Sequence, residues 1–157
     1  MKTRTRSLTV AAVIVLGFAF GGAANAATQT WGPRTKTWDG AVRVEASGSF
    51  WNNAGTANSK VTTKDRKADG NDVHGATTFY IKKIDKSNGT TYWTHFGRTS
   101  GDDVSNTTIT DRFTKSYPAW ASDYDTDQMR IGAFSCAQMG WPVPDQCTSE
   151  AILTTSS

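Results

Sequence analysis

Val73-His74-Gly75-Ala76-Thr77-Thr78-Phe79-Tyr80-Ile81-Lys82-Lys83-Ile84 is the longest strand-like run in the chain. Its side chains alternate with a period of two, the spacing of an extended strand. Val73, Thr77, Phe79 and Ile81 fall on one face, and Tyr80, Lys82 and Ile84 on the other. Asp85-Lys86-Ser87-Asn88-Gly89 follows, and Thr90 to Arg98 alternates again, with Tyr92, Thr94 and Phe96 opposite Trp93 and His95. Asn and Gly tolerate positive φ, so Asn88-Gly89 in a polar cluster predicts a hairpin. Two antiparallel strands set the fold class, and the rest of the chain repeats the pattern.

Ala41–Ala46 alternates, with Val42, Val44 and Ala46 on one face. Further short strands are predicted at Ser59–Thr63, Val104–Thr110, Met129–Cys136 and Ala151–Thr154. Beyond residue 26 there are two glutamates, Glu45 and Glu150, and one leucine, Leu153, whereas Thr, Ser, Asn, Asp and Gly abound. That composition favours strands and turns over helices. The expectation is an all-β, single-domain antiparallel β-sandwich of about seven strands over residues 41–157.

The first 26 residues read differently. Lys2, Arg4 and Arg6 precede an apolar run from Leu8 to Phe20, and Ala24-Asn25-Ala26 offers small residues at a cleavage site. Those are the three parts of a secretory signal peptide, with cleavage expected after Ala26. The run is shorter than the ~20 apolar residues of a membrane span. Arg4 and Arg6 are not adjacent, and no cysteine flanks the site, so neither a twin-arginine signal nor a lipoprotein is expected. The chain carries 17 basic and 14 acidic residues. Its three surplus cations are Lys2, Arg4 and Arg6, so residues 27–157 are formally neutral. Neutrality argues against a nucleic-acid or anionic-membrane partner, which needs a sustained positive field. No membrane span is expected beyond residue 26.

Cys136 and Cys147 are the only cysteines. In an exported chain an even pair most simply forms a disulfide. The enclosed loop is short, for which the chain-entropy model gives about 3 kcal/mol. A metal pair or a catalytic thiol is the other reading, and neither has a histidine nearby in sequence. Residues 27–40 form a separate segment, an N-terminal arm or an edge strand. Pro33 argues against a central strand, while Trp31 and Trp38 argue against a plain tail. The segment, with Arg34, either folds back on the domain or docks on another protein by strand addition.

Asp123, Asp125 and Asp127 form an alternating acidic triplet that could wrap a calcium ion. Gln128 and Phe134 occupy the positions where an EF-hand loop needs Gly and Glu, which excludes that motif. Asp65–Asp72 reads as a turn into the long strand. His74 and His95 would approach one another if their strands pair. No serine sits in a Gly-x-Ser-x-Gly elbow, and no aspartate pair marks a glycosidase site. No catalytic residue is therefore assigned, and calcium is the one candidate cofactor.

Six tryptophans are spread along the chain, at 31, 38, 51, 93, 120 and 141. Trp120, after Tyr117-Pro118-Ala119, and Trp141, beside Pro142, fall in expected loops. A loop tryptophan stacks on sugar or anchors an interface, or folds over the sandwich end as a lid. The Ala-rich signal, the Asp69-Gly70 turn before a long Thr- and Tyr-containing strand, and the Cys136…Pro142…Pro144-Asp145…Cys147 ending resemble a diffuse group of small secreted proteins of high-GC Gram-positive bacteria. The resemblance implies class and extracellular location only.

The leading expectation is a secreted, non-catalytic interaction protein, for example a small adaptor subunit of an extracellular assembly or toxin particle. Its partner would be another secreted protein, met through Trp31, Arg34, Trp38, Trp120 and Trp141. The alternative is a module binding a cell-surface glycan or cell wall through exposed tryptophans; the third is a small secreted hydrolase. A projecting arm favours the first, a line of coplanar exposed tryptophans the second, and a cleft joining a histidine to two acids the third.

Overall fold

Strand β4 (Val73–Ile84) is hydrogen-bonded along both edges, to β5 (Thr91–Ser100) and to β7 (Gln128–Ala137). The computed structural model describes residues 27–53, 55–116 and 128–156. Strands β8 (Gln146–Cys147) and β9 (Ala151–Ser156) both pair with β7 and complete a five-stranded sheet. The second sheet has the order β1 (Gln29–Trp38), β2 (Ala41–Asn53), β3 (Thr56–Asp65), β6 (Thr108–Ser116). Every pairing is antiparallel. The fold is an all-β sandwich, as expected, with nine strands among the described residues in place of about seven.

The extra strands and longer boundaries lie where apolar alternation is weak. β2 runs on through Ser47-Gly48-Ser49 to Asn53, and β3 is Thr- and Ser-rich throughout. The strand expected at Val104–Thr110 starts only at Thr108; Val104 makes one isolated bridge, to Val73. Backbone pairing with neighbours carries these segments, and a hydrophobic period does not register that.

The turns follow local chemistry. Asp39 and Gly40, both at positive φ, join β1 to β2 in a two-residue connection. This is the geometry that Asp-Gly favours in type I′ hairpins. Between β4 and β5, Asp85 accepts hydrogen bonds from the Ser87 amide (2.9 Å) and hydroxyl (2.6 Å), while Gly89 takes positive φ. These hydrogen bonds pull the Asp85 pKa down.

Phe50, Val61, Phe79, Met129 and Ile131 are fully buried between the sheets. Two hydroxyl pairs cross the same interior: Ser59 with Thr77 (2.9 Å) and Thr63 with Ser135 (2.6 Å). Each pair satisfies both partners, so the polar atoms escape the penalty of burial without a partner. Trp31 joins this core at 9% exposure, lying over Gly48.

The sheet edges are guarded. β1 carries Pro33 and two register shifts. On β5 the register slips between Phe79 and Tyr80, and the extra residue, Phe96, packs on Phe79 at 6.1 Å between ring centres. β6 directs Asp111 and Lys115 towards glycines of the facing sheet. Bulges, proline and inward charges discourage edge-to-edge pairing.

A Cβ at Gly48 would lie 1.9 Å from the Lys60 carbonyl oxygen and 2.9 Å from Trp31 Nε1. Neither neighbour can retreat without breaking the β2–β3 ladder or the core. Gly48→Ala is expected to cost about 1–3 kcal/mol, read as a lower urea midpoint; an unchanged midpoint would show the ladder to be pliable there.

Candidate functional site

The Cys136–Cys147 disulfide joins β7 to β8, and the two cysteines are direct cross-strand partners. The disulfide expected from the sequence is therefore formed. It closes a loop that local bonds hold in shape: the Gln138 amide donates to Asp72 O (2.8 Å) and the Val143 amide to Gly140 O (2.9 Å). Gly140 takes positive φ at the bend. The loop then presents Trp141, 97% exposed, followed by exposed Pro142, Val143 and Pro144. Trp141, Val143 and Pro144 rim an open depression of about 530 Å³, with Gln138 and Asp145 at its polar margin. Tryptophan is normally well buried, so an indole held in solvent on a disulfide-closed loop is the outstanding surface feature among the described residues.

The N-terminal segment does not project as an arm. It is edge strand β1, tied to β9 by a Gln29 side-chain bond to Thr154 O (2.6 Å) and to the loop before β9 by Arg34 Nη1 donating to Ser149 Oγ (2.8 Å). Trp31 is in the core. Trp38 is half-buried, with the Arg43 guanidinium 5.3 Å above its ring centre. β1 is held because its tryptophans find burial in this domain. Trp120 and the acidic triplet Asp123, Asp125 and Asp127 lie outside the described residues.

Arg43 is 7% exposed and pairs with Asp69 and, at 3.6 Å, with Asp39. It thereby pins the β1–β2 turn to the loop before β4. Burial pushes the Asp69 pKa up, but hydrogen bonds from Asn71 and from Arg43 outweigh it and hold the carboxyl below the ordinary value.

The two histidines do not meet. Strand register sets His95 opposite Tyr80 and His74 opposite Cys136. Six residues along β4 separate those positions, roughly 20 Å. His74 stands instead near acids. Its Nδ1 lies 2.9 Å from Asp103 Oδ1, outside hydrogen-bonding geometry. Asp111 points between the sheets, its Oδ2 buried without a partner against Gly75 and Gly101. Burial and the neighbouring charge of Asp102 push the Asp111 pKa up, against a Gly75 backbone hydrogen bond and His74. His74 is only 9% exposed and Asp111 is half-buried, while Asp102 and Asp103 stand exposed at the margin of this polar group.

The outer face of the five-stranded sheet carries a second cluster. Arg130 stacks on Trp93, 3.9 Å from guanidinium to ring centre, and Arg98 on Phe134 at 4.8 Å. Tyr80 and His95 meet edge to face at 5.9 Å. The described tryptophans do not form a coplanar exposed row: Trp31 is buried, Trp38 and Trp93 are covered by arginines, and Trp51 is half-buried. Among the described residues, no group of three or more His, Cys, Asp or Glu side chains is placed to hold a metal ion. In comparisons with known proteins, no family model and no curated protein matches this chain.

Sequence reading picked out Trp141 and the disulfide. It missed the stacked arginines, because Arg98 and Arg130 are 32 positions apart and only register brings their rings alongside. It also missed Asp39-Gly40, a strong local hairpin signal in plain view.

The two shifted aspartates predict opposite pH behaviour. Asp69 has a lowered pKa, so its stabilising contribution is present above the unfolded value and is lost as pH falls through the folded one. Asp69→Asn is expected to cost about 2 kcal/mol near neutrality by weakening the support of a buried guanidinium, and to flatten the acid limb of stability. Asp111 has a raised pKa, so its contribution is full below the unfolded value and is lost as pH rises through the folded one. Asp111→Asn is expected to raise the urea midpoint at neutral pH and to leave it unchanged below the ordinary carboxylate value of 3.8. Equal midpoints at neutral pH would show the carboxylate to be solvated.

Proposed function

We propose that this chain is a secreted, non-catalytic interaction protein that docks on another protein through the tip of its Cys136–Cys147 loop. The observation that carries this reading is Trp141, 97% exposed on a loop closed by a disulfide. Large aromatic side chains dominate the energetics of protein interfaces when a partner pocket desolvates them. Binding normally loses affinity to the ordering of loops and side chains. Here the disulfide, the Gly140 bend and two prolines have already ordered the backbone. Val143, 49% exposed, adds apolar area beside the indole, and Gln138 and Asp145 supply a polar rim. An apolar centre with a polar margin is the usual anatomy of such a contact.

The signal-like residues 1–26 and the disulfide support an extracellular setting. The contact element is the loop rather than residues 27–39, because β1 is committed to its own sheet. Insertion of Trp141 into a pocket of the partner uses the exposed loop and leaves the sandwich unchanged.

The test is a comparative capture experiment on culture medium, with the wild type, Trp141→Ala and Trp51→Ala as immobilised baits. A protein retained by the wild type and by Trp51→Ala, and reduced at least about tenfold by Trp141→Ala, is the expected result. Far-UV circular dichroism should be the same for the wild type and Trp141→Ala, since the indole touches little of its own domain. Equal retention by all three baits would rule out the loop as the docking element.

A further inference from the structure

Charge on this protein is segregated by secondary structure. The described carboxylates stand mostly in turns, at Asp39, Asp69, Asp72, Asp85, Asp103 and Asp145 among others, whereas most described lysines and arginines stand on strands. A formally neutral chain therefore presents basic sheet faces. On the five-stranded sheet, that basicity is ordered.

Cross-strand register places Arg98 beside Thr78 and Gly132, and the next row runs His95, Tyr80, Arg130, Thr154. Both guanidinium groups lie over aromatic rings. Stacking engages the flat face of a guanidinium and leaves its N–H edge free to donate in a fork that fits a carboxylate. Among the described residues, no carboxylate lies within ion-pair distance of Arg98 or Arg130. Arg130 uses its Nε on Thr154 Oγ1 (3.3 Å), which fixes the fork further. The rings restrict both side chains before any ligand arrives, so less entropy is lost on binding.

The two arginine backbones sit two strands and two residues apart, roughly 12 Å, and their forks lie over rings in separate rows, Phe134 opposite Ala76 and Trp93 opposite Lys82. Thr78 and Tyr80 stand on β4 between them. That span suits an oligosaccharide rather than one small anion. The ring faces of Trp93 and Phe134 are already occupied by arginine, so they offer no apolar platform for a protein interface core. What remains open is a mostly polar surface of guanidinium edges, hydroxyls and imidazole, with positive charge in excess and the half-exposed Ile152 beside Gly132 as its apolar margin. One acid opposes it: the Glu150 carboxylate lies over Gly132, where a Cβ would come within 2.9 Å of it. It stands on the β7 side of the face, two residues along from Arg130, and pairs with neither arginine.

We propose that this face binds a carboxylated polysaccharide, with Arg98 and Arg130 each gripping a sugar carboxylate and Tyr80 and His95 meeting the hydroxyls between. The site is separate from the Trp141 tip and stands or falls independently of it. Glu150 repels the ligand and limits its affinity.

The probe is polygalacturonate, with dextran as the neutral glycan and poly-glutamate as the acidic polypeptide, titrated into the purified protein by calorimetry at low salt. Polygalacturonate should bind and dextran should not. Arg98→Gln and Arg130→Gln should each weaken binding about tenfold, because each removes charge-assisted hydrogen bonds. Glu150→Gln should strengthen it several-fold. Arg112→Gln, on β6 of the opposite sheet, and Trp141→Ala should bind as the wild type. Far-UV circular dichroism on each variant reports the fold. Absence of binding overturns the proposal. So does an equal loss in Arg112→Gln, which would mean unspecific attraction, or equally tight binding of poly-glutamate, which would mean an acidic peptide site.

Discussion

The ladder between β4 and its two neighbours is the constraint on which the rest of the molecule depends. From Val73 to Phe79 this strand is buried on both faces as well as paired on both edges. Its inward side meets Phe50 and Val61 across the interior and Ile131 beside it in the same sheet. Its outward side is covered around Ala76 by Phe134 and the disulfide. A strand so enclosed cannot slip by one residue, since a slip would drive Phe79 and Ile81 to the outside and Tyr80 and Lys82 into the core. The register of β4 therefore fixes where β5 and β7 place their own side chains. That is how Arg98 and Arg130 reach their rings, and how Cys136 comes to lie opposite Cys147.

Register also explains the division between the sandwich body and its loops. Aspartates satisfy turn amides, as Asp85 does for Ser87 and Asp69 for Asn71. Lysines and arginines project from strands, where long apolar stems cover the sheet and the charged ends reach solvent. Opposite charges are thus separated by geometry even though they cancel in sum. Net charge alone was a poor guide to the electrostatic character of this surface, because it carries no information about position.

The hairpin around Asn88-Gly89 was legible because its signals are local: alternation on both sides and a turn that needs positive φ. The cysteine pair was legible by count. β1 was half legible. Pro33 and the two tryptophans marked the segment, but whether Trp31 would be buried in this domain or in another depended on Gly48 leaving room for an indole. Arg43 and Asp111 gave no signal at all. A lone arginine in an alternating strand and an aspartate in a Thr-rich one read as solvent-exposed, and only the approach of Asp69 in one case and of Gly75 and Gly101 in the other shows otherwise.

The sequence by itself determined the all-β class, the main hairpin, the disulfide pair and the exposure-prone tryptophan beside Pro142. Those features rest on backbone preferences and covalent chemistry that act over a few residues. The tertiary structure alone decided that the tryptophan-bearing N-terminus is an edge strand, that the two histidines stand apart, and that two arginines lie over aromatic rings on one face. Each of these depends on which strands become neighbours and in what register. Those are properties of long-range pairing, and no local window contains both partners.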